Sequence, residues 1–285
     1  MSRGARGGAS REVITSRQNA LVKGAREVRD GRDRAHIFVE GLRLCEEGAR
    51  AALSIESAFF TGSLSDAERG SQLLDTLQEA GARLHEVSDG VMESMSDTKT
   101  PQGVVLIARR PPSDLAWFER RLAREVSGAP LVVVLHGAGN PSNAGAMLRV
   151  AEAAGAHAVV ATLHTADLFS PKSLRGSMGS AFRLPLWAGA EFADVLAWCA
   201  AKKIVTVGTS ASAALTHAEY EWTGPTAVVV GSEGAGLSSS EVEATGAAVR
   251  IPMRAPVESL NVAAALAVIL YEAARQRGFQ LADKP

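Results

Sequence analysis

Apolar positions along this chain fall into short runs separated by turn residues. In the second half they read as a series of strand, turn and helix units. Leu131 to His136 is a run for a buried strand, followed by a Gly/Pro/Asn turn and a helix to about Ala154. Ala158 to Ala161, Ile204 to Val207, Ala227 to Val230 and Ala247 to Ile251 are further strand-type runs, with helical stretches between most of them. Near-continuous apolar strands alternating with helices predict a mainly parallel sheet covered on both faces. Ligands in such sheets bind beyond the carboxyl ends of the strands. The last element predicted is a helix over Val262 to Leu270, nine apolar residues in succession. A helix apolar all round is a buried one. It is nevertheless preceded by two polar residues, Ser259 and Asn261.

The first 110 residues follow a different rhythm. His36 to Val39, Ile55 to Phe60 and Gly103 to Ala108 read as strands, and Leu42 to Ala52 and a stretch near Ser71 to Ala80 as helices. Together they predict a compact α/β domain. Ahead of them Leu21, Ala25 and Val28 recur at helical spacing, with Lys23, Arg26 and Arg29 off the apolar stripe. Residues 109 to 130, RRPPSDLAWFERRLAREVSGAP, open on two prolines and close on Ser-Gly-Ala-Pro. That composition predicts a linker with a short helix inside it. The expected organisation is a basic flexible tail over 1–12, an α/β domain over 13–110, a linker over 111–129 and a second α/β domain over 130–285.

Composition changes this picture in one respect. The chain has 285 residues, 46% hydrophobic and 21% charged, as in soluble globular proteins. No apolar run reaches the ~20 residues of a membrane span, and the N-terminus carries no signal-peptide segment, so a cytoplasmic location is expected. Cys45 and Cys199 form no CxxC pair and read as small packing residues. Net charge is only −1, but residues 1–34 hold nine Lys or Arg against four acids, which makes that segment +5 and the remainder −6. Such asymmetry fits an RNA-contacting end on an otherwise ordinary enzyme, and equally a solubilising tail over Arg3 to Arg11.

Three stretches could carry chemistry. In LVVVLHGAGNPSNAGAMLRVAEAAG, residues 131–155, Ser142 stands where a dinucleotide fingerprint needs its third glycine. HGAG suggests an oxyanion loop, yet no G-x-S-x-G elbow follows it. Asn143 could cap the helix, and Arg149 could pair with Glu152 at i+3. In residues 226–244, Gly231, Gly234 and Gly236 permit a sharp turn or a close approach. Ser238 with Glu241, or Ser240 with Glu243, offers a capping box, and Glu233 is either a loop anchor or a ligand contact. In residues 251–277 Ser259 reads as an N-cap. The six histidines are scattered and HExxH is absent, so no metal site is expected.

In order along the chain, NPSNAGAMLRVAEAAG, VVVGSEGAGLS and IPMRAPVESLNVAAALAVILYE resemble the three motifs of the SpoU (TrmH) class of S-adenosylmethionine-dependent RNA ribose 2'-O-methyltransferases, within the wider SPOUT group. ITSRQNALVKGAREVR, FVEGLRLCEEG and TPQGVVLIA resemble, more loosely, the small α/β substrate-binding domain of members acting on large-subunit ribosomal RNA. The resemblance implies a trefoil-knotted catalytic domain, a homodimer with a shared active site, S-adenosylmethionine as cofactor and 23S ribosomal RNA as substrate. Transfer RNA, or a non-catalytic RNA-binding role for the same fold, are the alternatives. Carried over by position, Arg149 matches the arginine proposed to help remove the 2'-hydroxyl proton. Asn140, Glu233, Ser259 and Asn261 match polar positions around the target nucleotide. Gly208, Thr209, Gly231, Ile251 and Leu260 would hold the cofactor. Arg175, in SPKSLRGSMGSAFRLPL, joins Arg17, Lys23 and Arg26 as expected RNA contacts.

Overall fold

A computed structural model describes residues 12–279, so the basic tail expected over 1–12 lies, but for Glu12, outside the described residues. The chain divides between Arg110 and Pro111 into two units.

The first unit carries α1 (Ala20–Arg29), β1 (His36–Glu40), α2 (Leu42–Arg50), β2 (Ile55–Phe60), α3 (Gly62–Asp66), α4 (Glu68–Glu79), β3 (Arg83–Glu86), α5 (Asp89–Met95) and β4 (Val104–Arg109). Its sheet runs β1-β4-β2-β3, with β4 antiparallel to both neighbours and β3 parallel to β2. Asn19 starts α1 by accepting the amide of Leu21. The buried face of α1 is Val22, Ala25 and Val28, which packs against Phe38, Phe59, Val91, Met92 and Met95. Leu21, expected on that stripe, is 41% exposed, because Val22 occupies the inward position of its turn. β3, RLHE, and α5 have no counterpart in the predicted elements.

The second unit carries α6 (Leu115–Glu125), β5 (Leu131–Leu135), α7 (Pro141–Ala153), β6 (Ala158–Thr162), α8 (Pro171–Ser177), α9 (Ser180–Arg183), β7 (Leu186–Ala190), α10 (Phe192–Ala201), β8 (Val205–Thr209), β9 (Leu215–Thr216), β10 (Thr226–Val230), α11 (Ser239–Glu243), β11 (Ala247–Arg250) and α12 (Val262–Gln276). The seven strands are all parallel, in the order β7-β6-β5-β10-β8-β11-β9. Every residue of β5, β6 and β10 is buried, as a sheet covered on both faces requires. Residues 111–129, expected as a linker, are part of this unit. Asp114 caps α6, and Phe118, fully buried, packs edge-on against Trp198 and beside Trp187. Burying a phenylalanine contributes roughly 2–3 kcal/mol, which docks α6 on the sheet in place of a free connection.

α7 lies against both α8 and α12. Its approach to α8 needs glycine: a Cβ on Gly145 would stand 2.3 Å from the Ser173 carbonyl oxygen. α12 is buried along Ala263, Leu266, Ile269, Leu270, Ala273 and Ala274. It is not buried all round, since Val268 and Tyr271 are 38% and 46% exposed.

Candidate active site

The order β5-β10-β8-β11 puts the carboxyl ends of four adjacent strands side by side. The loops leaving them are 136–140, 231–238, 210–214 and 251–261. Three motifs widely separated in sequence thus meet at one edge of the sheet, where ligands bind in parallel α/β folds.

The loop after β10 is held tight. Ser232 and Gly236 form an isolated bridge, the Gly236 amide donating to the Ser232 carbonyl at 3.0 Å. A Cβ on Gly231 would lie 2.2 Å from the Gly236 carbonyl carbon, so only glycine permits this return. Ser238 and Glu241 close a capping box at the start of α11, the first of the two pairs the sequence offered.

Asparagines join the loops. Asn140 Oδ1 accepts the amides of Ser142 and Asn143 and is the N-cap of α7, with Pro141 at the first helical position. The cap expected of Asn143 therefore belongs to Asn140. Asn143 instead donates from Nδ2 to Glu233 Oε1 at 3.2 Å, and its Oδ1 accepts from Asn261 Nδ2 at 3.2 Å. Asn261 Oδ1 in turn accepts the Ala263 amide, which makes Asn261 the N-cap of α12, a role the sequence suggested for Ser259. The polarity of this chain is fixed from both ends. A carboxylate only accepts and a backbone N–H only donates, so each amide between them has one orientation that satisfies both neighbours. Glu233, Asn143 and Asn261 thereby tie the starts of α7 and α12 to the glycine loop.

Other residues singled out from the sequence stand apart from this chain. Arg149 is exposed on α7 and, among the described residues, has no hydrogen-bond or ion-pair partner. The carboxylate expected to hold it, Glu152, is bound at 2.6 and 2.8 Å by Arg183, with Ser180 donating at 2.6 Å. Burial alone would raise the Glu152 pKa, but Arg183 and Ser180 outweigh it and the carboxyl lies below its ordinary value. Ser259 and Leu260 are exposed on the loop ahead of Asn261. Gly208 and Thr209 end β8, where Gly208 pairs with Val229 of β10 and Ala248 of β11 and Thr209 pairs with Val249, so that Gly231 and Ile251 each follow two residues after one of these partners. A Cβ on Gly208 would press on Thr245 at 3.0 Å and Leu237 at 3.3 Å. Asn143 was missed as a site residue. Its signal was present in the pair of asparagines bracketing Pro141, only one of which can be the cap.

The cations expected to meet RNA differ in availability. Lys23 is exposed. Arg17 Nε donates to the Gly90 carbonyl at 3.2 Å, and Arg26 donates to the Arg17 carbonyl. Arg29 donates to the carbonyls of Ser94, Met95 and Ser96 at 3.1–3.2 Å, closing the C-terminal end of α5. Arg175, half-buried on α8, lies on the other unit. Among the described residues no group of three or more His, Cys, Asp or Glu could hold a metal, and no helix is long and apolar enough to cross a membrane.

A parallel sheet with glycine loops at adjacent strand ends, pinned by an asparagine chain and preceded by a separate mixed-sheet unit, defines a two-domain α/β protein with its site at the sheet's carboxyl edge. The chain belongs to the SpoU rRNA methylase family, whose model matches residues 130–271, and the model of the MRM3-like substrate binding domain matches residues 19–106. It is 33% identical to a 23S rRNA (uridine(2479)-2'-O)-methyltransferase of Streptomyces viridochromogenes over 97% of this chain and 96% of the relative. It is 34% identical to the 23S rRNA (guanosine-2'-O-)-methyltransferase RlmB of Ralstonia nicotianae over 79% of this chain and 90% of that one. The crystal structure of the SpoU methyltransferase AviRb from S. viridochromogenes in complex with AdoMet superposes with a TM-score of 0.80 at 29% identity, covering 91% of this chain and 98% of that chain.

Proposed function

We propose that this protein transfers a methyl group from S-adenosylmethionine to a ribose 2'-hydroxyl of 23S ribosomal RNA. The observation that carries the reading is the Glu233–Asn143–Asn261 chain, because it gathers the three motifs at the strand ends of a fold shared with an AdoMet-bound relative.

The residues fit such a cofactor. The ends of β8, β10 and β11 offer backbone amides and carbonyls from Gly208, Thr209, Gly231 and Ile251, and Leu237 beside Gly208, with exposed Leu260 on the loop after β11, would supply apolar surface for a purine ring. The sulfonium brings the methyl group. The chain's own task is to align the ribose oxygen for in-line displacement, and orientation of this kind lowers a barrier by several kcal/mol. Glu233, Asn143 and Asn261 hold the glycine loop and the two helix starts that frame the nucleotide. Arginine is a poor base at its ordinary pKa. Exposed Arg149 is better suited to a phosphate beside the target ribose, where its planar fork balances charge as the hydroxyl loses its proton. Lys23, Arg17 and Arg26 on the first unit, with Arg175 on the second, would meet the RNA backbone.

The active form is a homodimer with a trefoil-knotted second unit. Val257, Leu260, Val268 and Tyr271, 38–54% exposed, with Ala264 between them, give α12 and its approach an apolar outer face that supports pairing with a second copy. Threading is supported by β11, which lies between β8 and β9 although β8 and β9 are consecutive in the chain. The connection 210–214 therefore crosses β11, with Ser210 donating to the Val249 carbonyl at 3.0 Å.

Ribose-methylation mapping of ribosomal and transfer RNA from cells with and without the gene tests the proposal, alongside methyl transfer in vitro from tritiated S-adenosylmethionine. The expected result is loss of one 2'-O-methyl in 23S RNA. A lost tRNA site would move the substrate, and no transfer to any RNA would leave a non-catalytic binder.

A further inference from the structure

His136 directly follows β5 at the edge of the site, and none of the roles above uses it. Its side chain is 19% exposed and is met by partners from three elements. Nδ1 lies 2.9 Å from Thr162 Oγ1 at the end of β6, Nε2 lies 2.8 Å from Glu241 Oε1 on α11, and the ring stacks on Phe192 of α10 with centroids 4.2 Å apart. Its amide donates to the Val230 carbonyl, one residue before Gly231.

Glu241 has both oxygens engaged, Oε1 toward His136 and Oε2 accepting the Ser238 amide at 2.7 Å. An ionised carboxylate only accepts, so His136 presents Nε2–H to it, while Nδ1 shares a hydrogen bond with the Thr162 hydroxyl, which also lies within reach of the Leu135 and Leu163 carbonyls. The result is a continuous hydrogen-bonded connection from β6 through His136 to the first turn of α11. Glu241 is the only charged group that faces the ring among these partners, since β6 offers a hydroxyl and α10 a phenyl ring. The Ser238 amide and then His136 hold the Glu241 carboxyl below its ordinary range, in keeping with an ionised acceptor.

This connection matters because of what it terminates. Residues 231–237 form a loop rich in glycine, with Gly234 at φ +88° and Gly236 at φ +68°. Its three glycines each have more backbone freedom to lose than any other residue. Its near end is fixed by β10, and its far end by Ser238, whose amide is held by the same carboxylate that takes the histidine.

We infer that His136 is a positioning residue that acts through Glu241 to hold loop 231–237 in the arrangement that receives the cofactor. The inference rests on the methyltransferase reading. It predicts a split between binding and turnover. His136→Phe keeps the ring volume and the stack on Phe192 but loses both hydrogen bonds, and should raise KM for S-adenosylmethionine about tenfold. At saturating cofactor, kcat should stay within about twofold of wild type. His136→Gln keeps a donor toward Glu241 and should recover most of the KM. Hydrogen exchange of the amides of 231–238 in the cofactor-free protein should be faster in His136→Phe and near wild type in His136→Gln.

A Phe variant with wild-type KM and wild-type exchange overturns the inference. So does a Gln variant as impaired as Phe, or a kcat that falls together with thermal stability, since each would make His136 a packing residue. If the wild-type protein transfers no methyl group, the proposed function fails instead, and the exchange measurement still decides whether His136 holds the loop.

Discussion

At the scale of single residues, the site depends on amide polarity. Asn143 stands between an acceptor-only carboxylate and an asparagine whose own oxygen is committed to a backbone amide. Asn143→Ala should lower methyl transfer by about 100-fold in single-turnover assays while the melting temperature moves only a few degrees, because the side chain is partly exposed and its partners can turn to water. Asn143→Asp should be worse than Ala. It sets a second carboxylate against Glu233 and removes the donor, which like-charge repulsion makes unfavourable. Equal activity of Asp and Asn at this position would show that the polarity argument is wrong. These contacts were hard to read from the sequence for a plain reason. Asn143 meets partners 90 and 118 positions away, and no local pattern encodes such pairings. Local chemistry even misled: the i+3 pair of Arg149 with Glu152 gives way to Arg183, 31 residues on, which reaches both carboxylate oxygens.

At the scale of elements, legibility followed burial. β5, β6 and β10 were readable because strands buried on both faces must be apolar throughout. β3, with none of its four residues fully buried, gave no such signal, and α6 was legible as a short helix while its docking was not, because only Phe118 and Leu122 turn inward among prolines and charges. Two predictions belong to this scale. Gly231→Ala should destabilise the second unit by roughly 2–4 kcal/mol, since the new methyl meets backbone and not a movable side chain. Chemical denaturation monitored at the tryptophans measures it, and a loss below about 0.5 kcal/mol would refute the tight return of the loop. The second concerns Glu152, which joins α7 to α9. Its folded pKa lies below 4.5, so its contribution is fully present above that value and is lost as pH falls through the folded value. Glu152→Gln should therefore melt about 2–4 °C below wild type at neutral pH, with the gap closing under acid as the wild-type carboxylate takes its proton. A gap that never narrows as acid protonates the wild-type carboxylate would mean that charge plays no part.

At the scale of the whole molecule, the sequence pointed to a helix buried on all sides, and the physical outcome is a helix with two apolar faces of different standing. Ala263, Leu266, Ile269, Leu270, Ala273 and Ala274 fill the interior of one chain. Ala264, Val268 and Tyr271 recur at intervals of four and three and leave a second stripe in contact with water. A lone exposed leucine or valine needs no explanation, but a helical stripe preceded by exposed Val257 and Leu260 is costly to leave wet. Periodicity within one chain cannot distinguish core from interface, because both are apolar at helical spacing. The proposed homodimer makes a direct prediction. Val268→Asp with Tyr271→Asp should leave the fold intact, since neither residue is part of the interior, while converting a dimer to a monomer in light scattering coupled to size exclusion. Desolvating two carboxylates at a paired face is unfavourable enough to separate the copies. Methyl transfer should fall with the dimer, and adding the monomeric variant to a subunit inactive through Asn143→Ala should restore nothing. A wild-type chain that is already monomeric at micromolar concentration, or a doubly substituted chain that remains dimeric, would remove this face as the contact between copies.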